Sequence, residues 1–231
     1  MKPIDPFQLK HLSKFHPIRL AFTLKARLLD RWSRLRFASH TIELMDPPEF
    51  QRADLVYAAE DTAVTLEQMN LLVHCLRVTE MNPAPAVEIG AYRGVTSALL
   101  AKTTDRKYFI VDPYIGYGGA ETDLHSMQKR TEGLINISHL RMTSGEAGRN
   151  GGIEQISFAF IDAVHDYVNA TFDGRMWAEK LVQGGLIAFH DTDSERFGGV
   201  QAAVWRMIHA NELNLELFAH VEGVVVLIKR Q

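Results

Sequence analysis

The sequence predicts an α/β fold in which a mostly parallel sheet carries helices on both faces and ends in an antiparallel hairpin. Three observations predict it. Short apolar runs alternate with segments of helical periodicity from residue 62 onward, as in chains that join parallel strands by helical crossovers. A glycine turn follows the first apolar run. Two strand-like segments, joined by Glu222-Gly223, close the chain.

Composition limits the number of domains and indicates the cellular compartment. With 231 residues and 46% hydrophobic content, the chain can bury a full core, and we expect one domain at residues 62–231 with an extension at 1–61. The single cysteine, Cys75, excludes an intrachain disulfide and fits a reducing compartment. No long apolar run and no apolar signal core are present, so we expect a cytoplasmic protein.

The N-terminal part is predicted to be a basic helix followed by a connector. Residues 1–40 hold 9 basic and 2 acidic side chains, net +7, and subtraction from the whole-chain charge of −3 leaves −10 for residues 41–231. Apolar residues recur at helical spacing with basic residues between them. The apolar set is Ile18, Phe22, Leu24, Leu28, Leu29, Trp32 and Leu35, and the basic set is Arg19, Lys25, Arg27, Arg31 and Arg34. Residues 41–61, which contain Pro47-Pro48, are interpreted as the connector.

This helix allows two interpretations. It packs on the body or on a partner subunit, which favours a homo-oligomer, or it lies on an anionic membrane surface through residues 1–40, which we favour less. Nucleic acid is not expected as a partner, because the basic residues are confined to one end.

The helix predicted for residues 62–80 leads the chain to the first strand. Thr62 or Thr65 can cap its start, and Asn82-Pro83-Ala84-Pro85 ends it. Its apolar stripe consists of Val64, Met69, Leu72, Val73 and Leu76.

The turn after the first strand is predicted to hold a ligand. The apolar run Val87 to Ile89 leads into Gly90, and a helical pattern begins just after Gly94. The Gly-x-x-x-Gly spacing, with an acidic residue upstream, differs from the Gly-x-Gly-x-x-Gly of dinucleotide folds. We therefore expect an adenosyl ligand without a pyrophosphate. The residues of this cradle are Glu88, Gly90, Ala91, Tyr92 and Gly94.

Acidic and polar residues also follow the other predicted strands. Asp112 ends the second strand, where one carboxylate can accept hydrogen bonds from both ribose hydroxyls. Tyr114 to Gly119 is interpreted as a lid. A third strand is expected near Ile137 to Met142, and Thr143 and Ser144 follow it at the edge where an adenine could lie.

Two further strands, Phe158 to Ile161 and Leu186 to Phe189, end in Asp162 and in His190-Asp191. Placing two carboxylates and an imidazole at one sheet edge is unfavourable, because the carboxylates repel each other and all three groups lose water, unless a cation joins them. A divalent metal held by these three residues is the simplest explanation, and solvated strand-end residues and helix caps are the alternative.

Together these motifs resemble the class I S-adenosylmethionine-dependent methyltransferases, and are similar to the small O-methyltransferases grouped with macrocin and catechol methyltransferases. The resemblance covers about residues 62–231. It implies a Rossmann-like sheet of seven strands and S-adenosyl-L-methionine as cofactor. By the same resemblance, Glu88, Gly90 and Gly94 line the methionine moiety, Asp112 holds the ribose, and Asp162 also borders the cofactor. Thr143 and Ser144 fall where the family contacts adenine, although its usual acidic residue before the serine is absent.

The resemblance also implies catalytic roles. His165 stands where catechol methyltransferases place the lysine that accepts the acceptor proton, with Asp162 and His190 beside it. Metal-dependent members hold magnesium at the positions of Asp162 and of the His190-Asp191 pair. The histidine in that pair departs from the family, because magnesium prefers oxygen ligands whereas imidazole suits metals such as manganese. The identity of the metal, magnesium or manganese, is left open.

The predicted function is methyl transfer to a hydroxyl of a small molecule or glycan. Two alternatives remain: a non-catalytic cofactor-binding module that docks a partner, and a nucleotide-sugar or nicotinamide enzyme on a Rossmann sheet. The missing Gly-x-Gly-x-x-Gly motif and the terminal hairpin count against the second.

Overall fold

The computed structural model describes residues 5, 6, 9, 12–37, 54–115, 119–192, 197–210 and 212–231. In these ranges the helices are α1 (Pro17–Phe37), α2 (Leu66–Val78), α3 (Val95–Lys102), α4 (Glu121–Thr131), α5 (Ser144–Asn150), α6 (Tyr167–Lys180) and α7 (Gly198–Ala210). The strands are β1 (Ala86–Ile89), β2 (Tyr108–Val111), β3 (Ile137–Leu140), β4 (Ile156–Ile161), β5 (Leu181–Phe189), β6 (Leu215–Val221) and β7 (Val224–Lys229).

The seven strands form one sheet in the order β3-β2-β1-β4-β5-β7-β6. Strands β1 to β5 are parallel, and β7 runs antiparallel to both β5 and β6. One face of the sheet packs against α5, α6 and α7, and the other face packs against α2, α3 and α4. The predicted fold, a mostly parallel sheet with helices on both faces and a terminal antiparallel hairpin, is confirmed.

Local sequence signals explain where the elements begin and end. Thr65, rather than Thr62, caps α2, because its hydroxyl accepts from the Gln68 N–H while the Gln68 side chain accepts from the Thr65 N–H. Strand β5 begins at Leu181, earlier than predicted, and a bulge opposite Ile156 to Phe158 accommodates the extra residues. The Glu222-Gly223 turn has positive φ at both residues, as two-residue hairpins require.

Helix α1 confirms the helix predicted in the N-terminal extension. It lies along α6 and α7, and its Leu29 packs against the core on that side of the sheet. Asp5 also reaches the body, where its carboxylate accepts hydrogen bonds from the Thr143 hydroxyl and the Gly145 N–H. Pro47-Pro48 lies outside the described residues, and the division at residue 61 stays a prediction.

A row of backbone hydrogen bonds fixes the carboxyl edge of the sheet. It is formed by four residues that each stand one position past a strand: Asp112 after β2, Gly90 after β1, Asp162 after β4 and His190 after β5. The N–H of each donates to the carbonyl oxygen of the last residue of the neighbouring strand, over 3.3, 2.9, 2.9 and 3.1 Å respectively. The predicted site residues after these strands therefore stand side by side.

Gly90 is the tightest point of this row. Its φ of +86° is one that side-chain-bearing residues avoid, and a Cβ atom there would lie 2.0 Å from the carbonyl oxygen of Asp162. Because that oxygen belongs to the backbone, it cannot move aside without breaking the pairing of β1 with β4. Only glycine fits at this position.

We expect Gly90→Ala to destabilise the fold by about 3 kcal/mol or more, because backbone strain and a backbone clash add. Gly133→Ala is the matched control, since Gly133 has a φ of +80° and a Cβ atom there would meet nothing within 4 Å, so this variant should cost only about 1 kcal/mol. Chemical denaturation of the two variants measures the difference. Equal stabilities would show that β1 and β4 can separate at this point.

Candidate active site

A cavity of about 530 Å³ opens at the carboxyl edge of the sheet. Most of the predicted site residues line it: Glu88, Gly90, Ala91, Tyr92, Asp112, Thr143, Ser144, Asp162 and His165. His190 and Asp191 lie beside Asp162. Gly94 is not part of the lining; a Cβ there would lie 2.6 Å from Cγ of Met127, so this glycine lets α4 approach the turn.

Glu88 is the most deeply buried acid of the cavity. Its side chain is 1% exposed and accepts a hydrogen bond from the Tyr108 hydroxyl over 3.2 Å. Burial raises the pKa of Glu88 to about 8, and the negative charges of Asp162 and Asp112 add to the effect. A cationic ligand group in the cavity would favour the ionised form, since opposite charges lower the pKa of an acid.

Asp112 ties two loops together. Its carboxylate accepts from the N–H groups of Ala91 (3.0 Å), Tyr92 (3.3 Å) and Tyr114 (3.0 Å). Burial raises the pKa of Asp112, and these backbone hydrogen bonds oppose the shift. Oδ2 accepts the first two of these hydrogen bonds, whereas Oδ1 accepts only the third and has a further lone pair available to a ligand hydroxyl.

Tyr114 does not behave as part of a lid. It is buried, and its hydroxyl donates to the Tyr92 carbonyl oxygen over 2.8 Å, which fixes the glycine turn from the side of β2. The central residues of the predicted lid, 116–118, lie outside the described residues.

The residues predicted to meet adenine are held by neighbouring groups. Thr143 caps α5 by accepting from the Glu146 N–H. The Ser144 hydroxyl accepts from Nε1 of Trp177 over 2.9 Å. Both residues line the cavity at the end of β3, and their side chains also stabilise the fold, while their contact with adenine stays a prediction.

Asp173 is a cavity residue that sequence reasoning missed. It is buried on α6, and burial raises its pKa to about 7, while a hydrogen bond with Ser144 opposes the shift. It lies on the same face of α6 as Asn169, which also lines the cavity, and Asp166, which caps the helix. Asp166, Asn169 and Asp173 are three, four and seven positions apart, a spacing that places polar side chains on one face of a helix and that can be recognised in the sequence. The structure thus brings a carboxylate to Ser144 from another element.

The predicted metal ligands and the predicted base form one cluster. Ligand atoms of Asp162, His165, His190 and Asp191 all lie within 4.8 Å of one another. Nε2 of His165 lies 3.2 Å from Asp162 Oδ1 and 3.0 Å from Asp191 Oδ2. Nδ1 of His190 lies 3.7 and 3.4 Å from the same two carboxylates.

The orientation of His190 is set from outside the cluster. Its Nε2 lies 3.1 Å from Oε1 of Gln68, and that oxygen also accepts from the Thr65 N–H, so Nε2 is the nitrogen that donates. The Gln68 amide nitrogen donates to the carbonyl oxygen of Glu222 in the β6–β7 turn. In neutral His190, Nδ1 therefore presents a lone pair to the two carboxylates, an arrangement that repels unless a cation or a proton lies between them. The donor set fits a divalent metal.

His165 is the more accessible imidazole. It is 28% exposed at its side chain, and its ring contacts that of Phe197 at a centroid distance of 4.5 Å. Both residues line the cavity. A molecule entering the cavity can therefore reach His165, whereas His190 is only 4% exposed.

The sheet order and the terminal antiparallel hairpin are those of the class I S-adenosylmethionine-dependent methyltransferase fold. Residues 87–192 match the family model described as methyltransferase domain. The predicted resemblance is confirmed. A comparison with curated proteins finds no significant match.

Several solved structures with the same fold are O-methyltransferases. The chain is similar to the O-methyltransferase NovP (15% identity, 74% of this chain and 83% of that chain, TM-score 0.62). It is also similar to the O-methyltransferase TomG from Streptomyces achromogenes in complex with S-adenosylmethionine (13% identity, 98% of this chain and 96% of that chain, TM-score 0.57). A third similar structure is that of CalS11, a TDP-rhamnose 3′-O-methyltransferase (16% identity, 71% of this chain and 81% of that chain, TM-score 0.53). At these identities the likeness establishes the fold.

The raised pKa of Glu88 predicts a pH-dependent stability. An acid whose pKa rises from about 4.5 to about 8 on folding does not destabilise the fold below pH 4.5, and destabilises it increasingly up to pH 8. The ligand-free protein should therefore lose stability relative to Glu88→Gln between these pH values, because glutamine does not titrate.

Urea denaturation at about pH 5 and about pH 8.5 measures this difference. Asp112 and Asp173 are common to both proteins, so their titration largely cancels. Glu132→Gln, at an exposed position, is the control and should show no pH-dependent difference. A constant difference between wild type and Glu88→Gln would contradict the prediction.

Proposed function

We propose that the protein transfers the methyl group of S-adenosyl-L-methionine to a hydroxyl oxygen of a small molecule or sugar, with a divalent metal beside the acceptor. One observation supports this most directly. The cradle with Glu88 and Asp112 and the cluster with Asp162 and His165 share one cavity at one sheet edge. Donor and acceptor can therefore meet there.

Three carboxylates would place the cofactor. Asp112 accepts hydrogen bonds from the ribose hydroxyls, and Glu88 lies toward the positively charged methionine end. Adenine lies toward Thr143 and Ser144. There Asp173 can accept a hydrogen bond from the adenine amino group, in place of the acidic residue that the family carries before the serine.

Asp162, His190 and Asp191 would hold the metal. A bound divalent cation lowers the pKa of a hydroxyl that it contacts. Because an imidazole stands in the donor set, manganese fits better than magnesium. Gln68 keeps the lone pair of His190 Nδ1 directed toward the cluster.

His165 would remove the proton of the acceptor hydroxyl. Its Nε2, which lies 3.2 Å from Asp162 Oδ1 and 3.0 Å from Asp191 Oδ2, would receive the proton. Phe197 packs against the ring and holds its orientation. The alignment of donor and acceptor at the sheet edge contributes the remaining rate enhancement.

The acceptor class rests on chemistry and on the similar structures. A hydroxyl needs a base or a metal before it attacks a methyl group, and the cavity offers both a base and a metal-binding donor set. Three of the similar structures are O-methyltransferases, one of which is a TDP-rhamnose 3′-O-methyltransferase. These observations support oxygen as the methylated atom and a sugar or small molecule as acceptor.

The cofactor assignment predicts separate effects for Asp112 and His165. In calorimetry with S-adenosylhomocysteine, Asp112→Ala should raise the Kd by about tenfold or more, because it removes charge-assisted hydrogen bonds. His165→Ala should leave the Kd within about threefold and lower the rate of methyl transfer. If neither S-adenosylmethionine nor S-adenosylhomocysteine binds the wild type, the proposed cofactor site is wrong; binding without transfer to any hydroxylated acceptor would favour the cofactor-binding module.

The metal assignment predicts that Gln68→Leu weakens manganese binding by about 10- to 100-fold, because His190 loses the partner that orients it. Calorimetric titration of chelator-treated protein with manganese measures the affinity. Asp162→Ala should abolish binding. Asn70→Leu is the control, since Asn70 is a buried amide on the same helix that bonds the Leu66 carbonyl. Unchanged activity after chelation would leave His165 or His190 as a metal-free base.

A further inference from the structure

Helix α1 has two apolar faces, and the described residues of the chain cover only one of them. Phe22, Ala26 and Leu29 are half-buried on the side toward α6 and α7. Leucines on the opposite side are exposed by 52, 61, 60 and 78%: Leu20, Leu24, Leu28 and Leu35. Spaced four, four and seven residues apart, they form one stripe along the helix. The stripe is thus additional to the face that attaches α1 to the body.

Basic side chains border this leucine stripe. Lys25, Arg27 and Arg31 are exposed beside the leucines. Asp30 is the only acidic residue within Pro17–Phe37, and it faces the body, where its carboxylate accepts from the Tyr167 N–H over 3.4 Å. The outward face of α1 therefore combines apolar surface with positive charge and carries no acidic side chain.

The stripe differs from the other exposed apolar side chains of the described residues. Val56, Met81 and Ile135, each at least 95% exposed, lie far apart along the chain in segments between helices and strands. Isolated apolar residues of this kind are ordinary on protein surfaces, whereas a contiguous apolar stripe marks a binding surface.

We propose that α1 docks the protein on an anionic lipid surface. The leucines would enter the boundary between headgroups and acyl chains, and the basic residues would meet the lipid phosphates. The helix would lie in the surface, since among the described residues no helix is both long and apolar enough to cross a bilayer.

Charge favours lipid over a second copy of the chain. The matching apolar surface on a second copy would be its own stripe, and pairing two α1 helices about a two-fold axis brings Lys25, Arg27 and Arg31 of each copy together without an acidic partner. An anionic membrane supplies both the apolar phase and the opposite charge. The homo-oligomer predicted from the sequence is the competing outcome.

Vesicle flotation of the full-length protein tests the proposal. We expect binding to vesicles of equal parts phosphatidylglycerol and phosphatidylcholine, and at least about tenfold weaker partitioning to phosphatidylcholine alone. Leu24→Glu combined with Leu28→Glu should reduce binding to anionic vesicles by about tenfold or more. Arg27→Glu combined with Arg31→Glu should have a comparable effect.

Matched controls separate docking from misfolding. Met81→Glu combined with Ile135→Glu also exchanges two exposed apolar residues for acids and should leave flotation unchanged. Every variant should keep the thermal midpoint and the S-adenosylhomocysteine affinity of the wild type. No binding of wild type to anionic vesicles, or full binding by the Leu24 and Leu28 variant, would overturn the proposal. If light scattering shows a wild-type dimer that the Leu24 and Leu28 variant dissociates, and the wild type does not bind vesicles, then a second copy of the chain covers the stripe.

Discussion

The structure depends on the in-register pairing of β3, β2, β1, β4 and β5 up to their carboxyl ends. One backbone hydrogen bond past each strand continues the ladder, so Asp112, Gly90, Asp162 and His190 form neighbouring positions along the edge. Parallel strands direct all these ends to the same side. The close approach of Gly90 to the Asp162 carbonyl keeps the glycine turn against β4. The turn after β1 and the cluster of Asp162, His165, His190 and Asp191 therefore lie beside the same cavity.

Negative charge dominates this cavity. Burial raises the pKa values of Glu88, Asp112 and Asp173, and a positively charged ligand would favour the ionised form of each. Asp162 and Asp191 have imidazoles beside them. The sulfonium and ammonium groups of the cofactor, and the proposed divalent metal, would bring positive charge to the two ends of the cavity. The electrostatics of the site thus match the charge of the ligands that the proposed reaction requires.

Residues remote from the reacting groups hold the site in shape. Gln68 joins the cap of α2, the β6–β7 turn and His190 in one hydrogen-bond network, so the terminal hairpin helps to orient an imidazole of the cluster. Asp5 links the N-terminal extension to the start of α5, next to the predicted adenine position. The hairpin and Asp5 therefore contribute to the site without lining its cavity.

Local pattern in the sequence determined the strands, the glycine turn and the residues at the strand ends, because periodicity and turn chemistry depend on near neighbours along the chain. Glu88, Asp112 and Asp162 could be identified this way, whereas His165 was identified from the family resemblance. Tertiary structure alone decided that Asp173 reaches Ser144, that Gln68 orients His190, and that Gly94 serves α4 rather than the cavity. These contacts depend on the order of the strands and on the rotation of each helix about its axis. Both are set by packing between segments distant in the chain, and no local pattern records them.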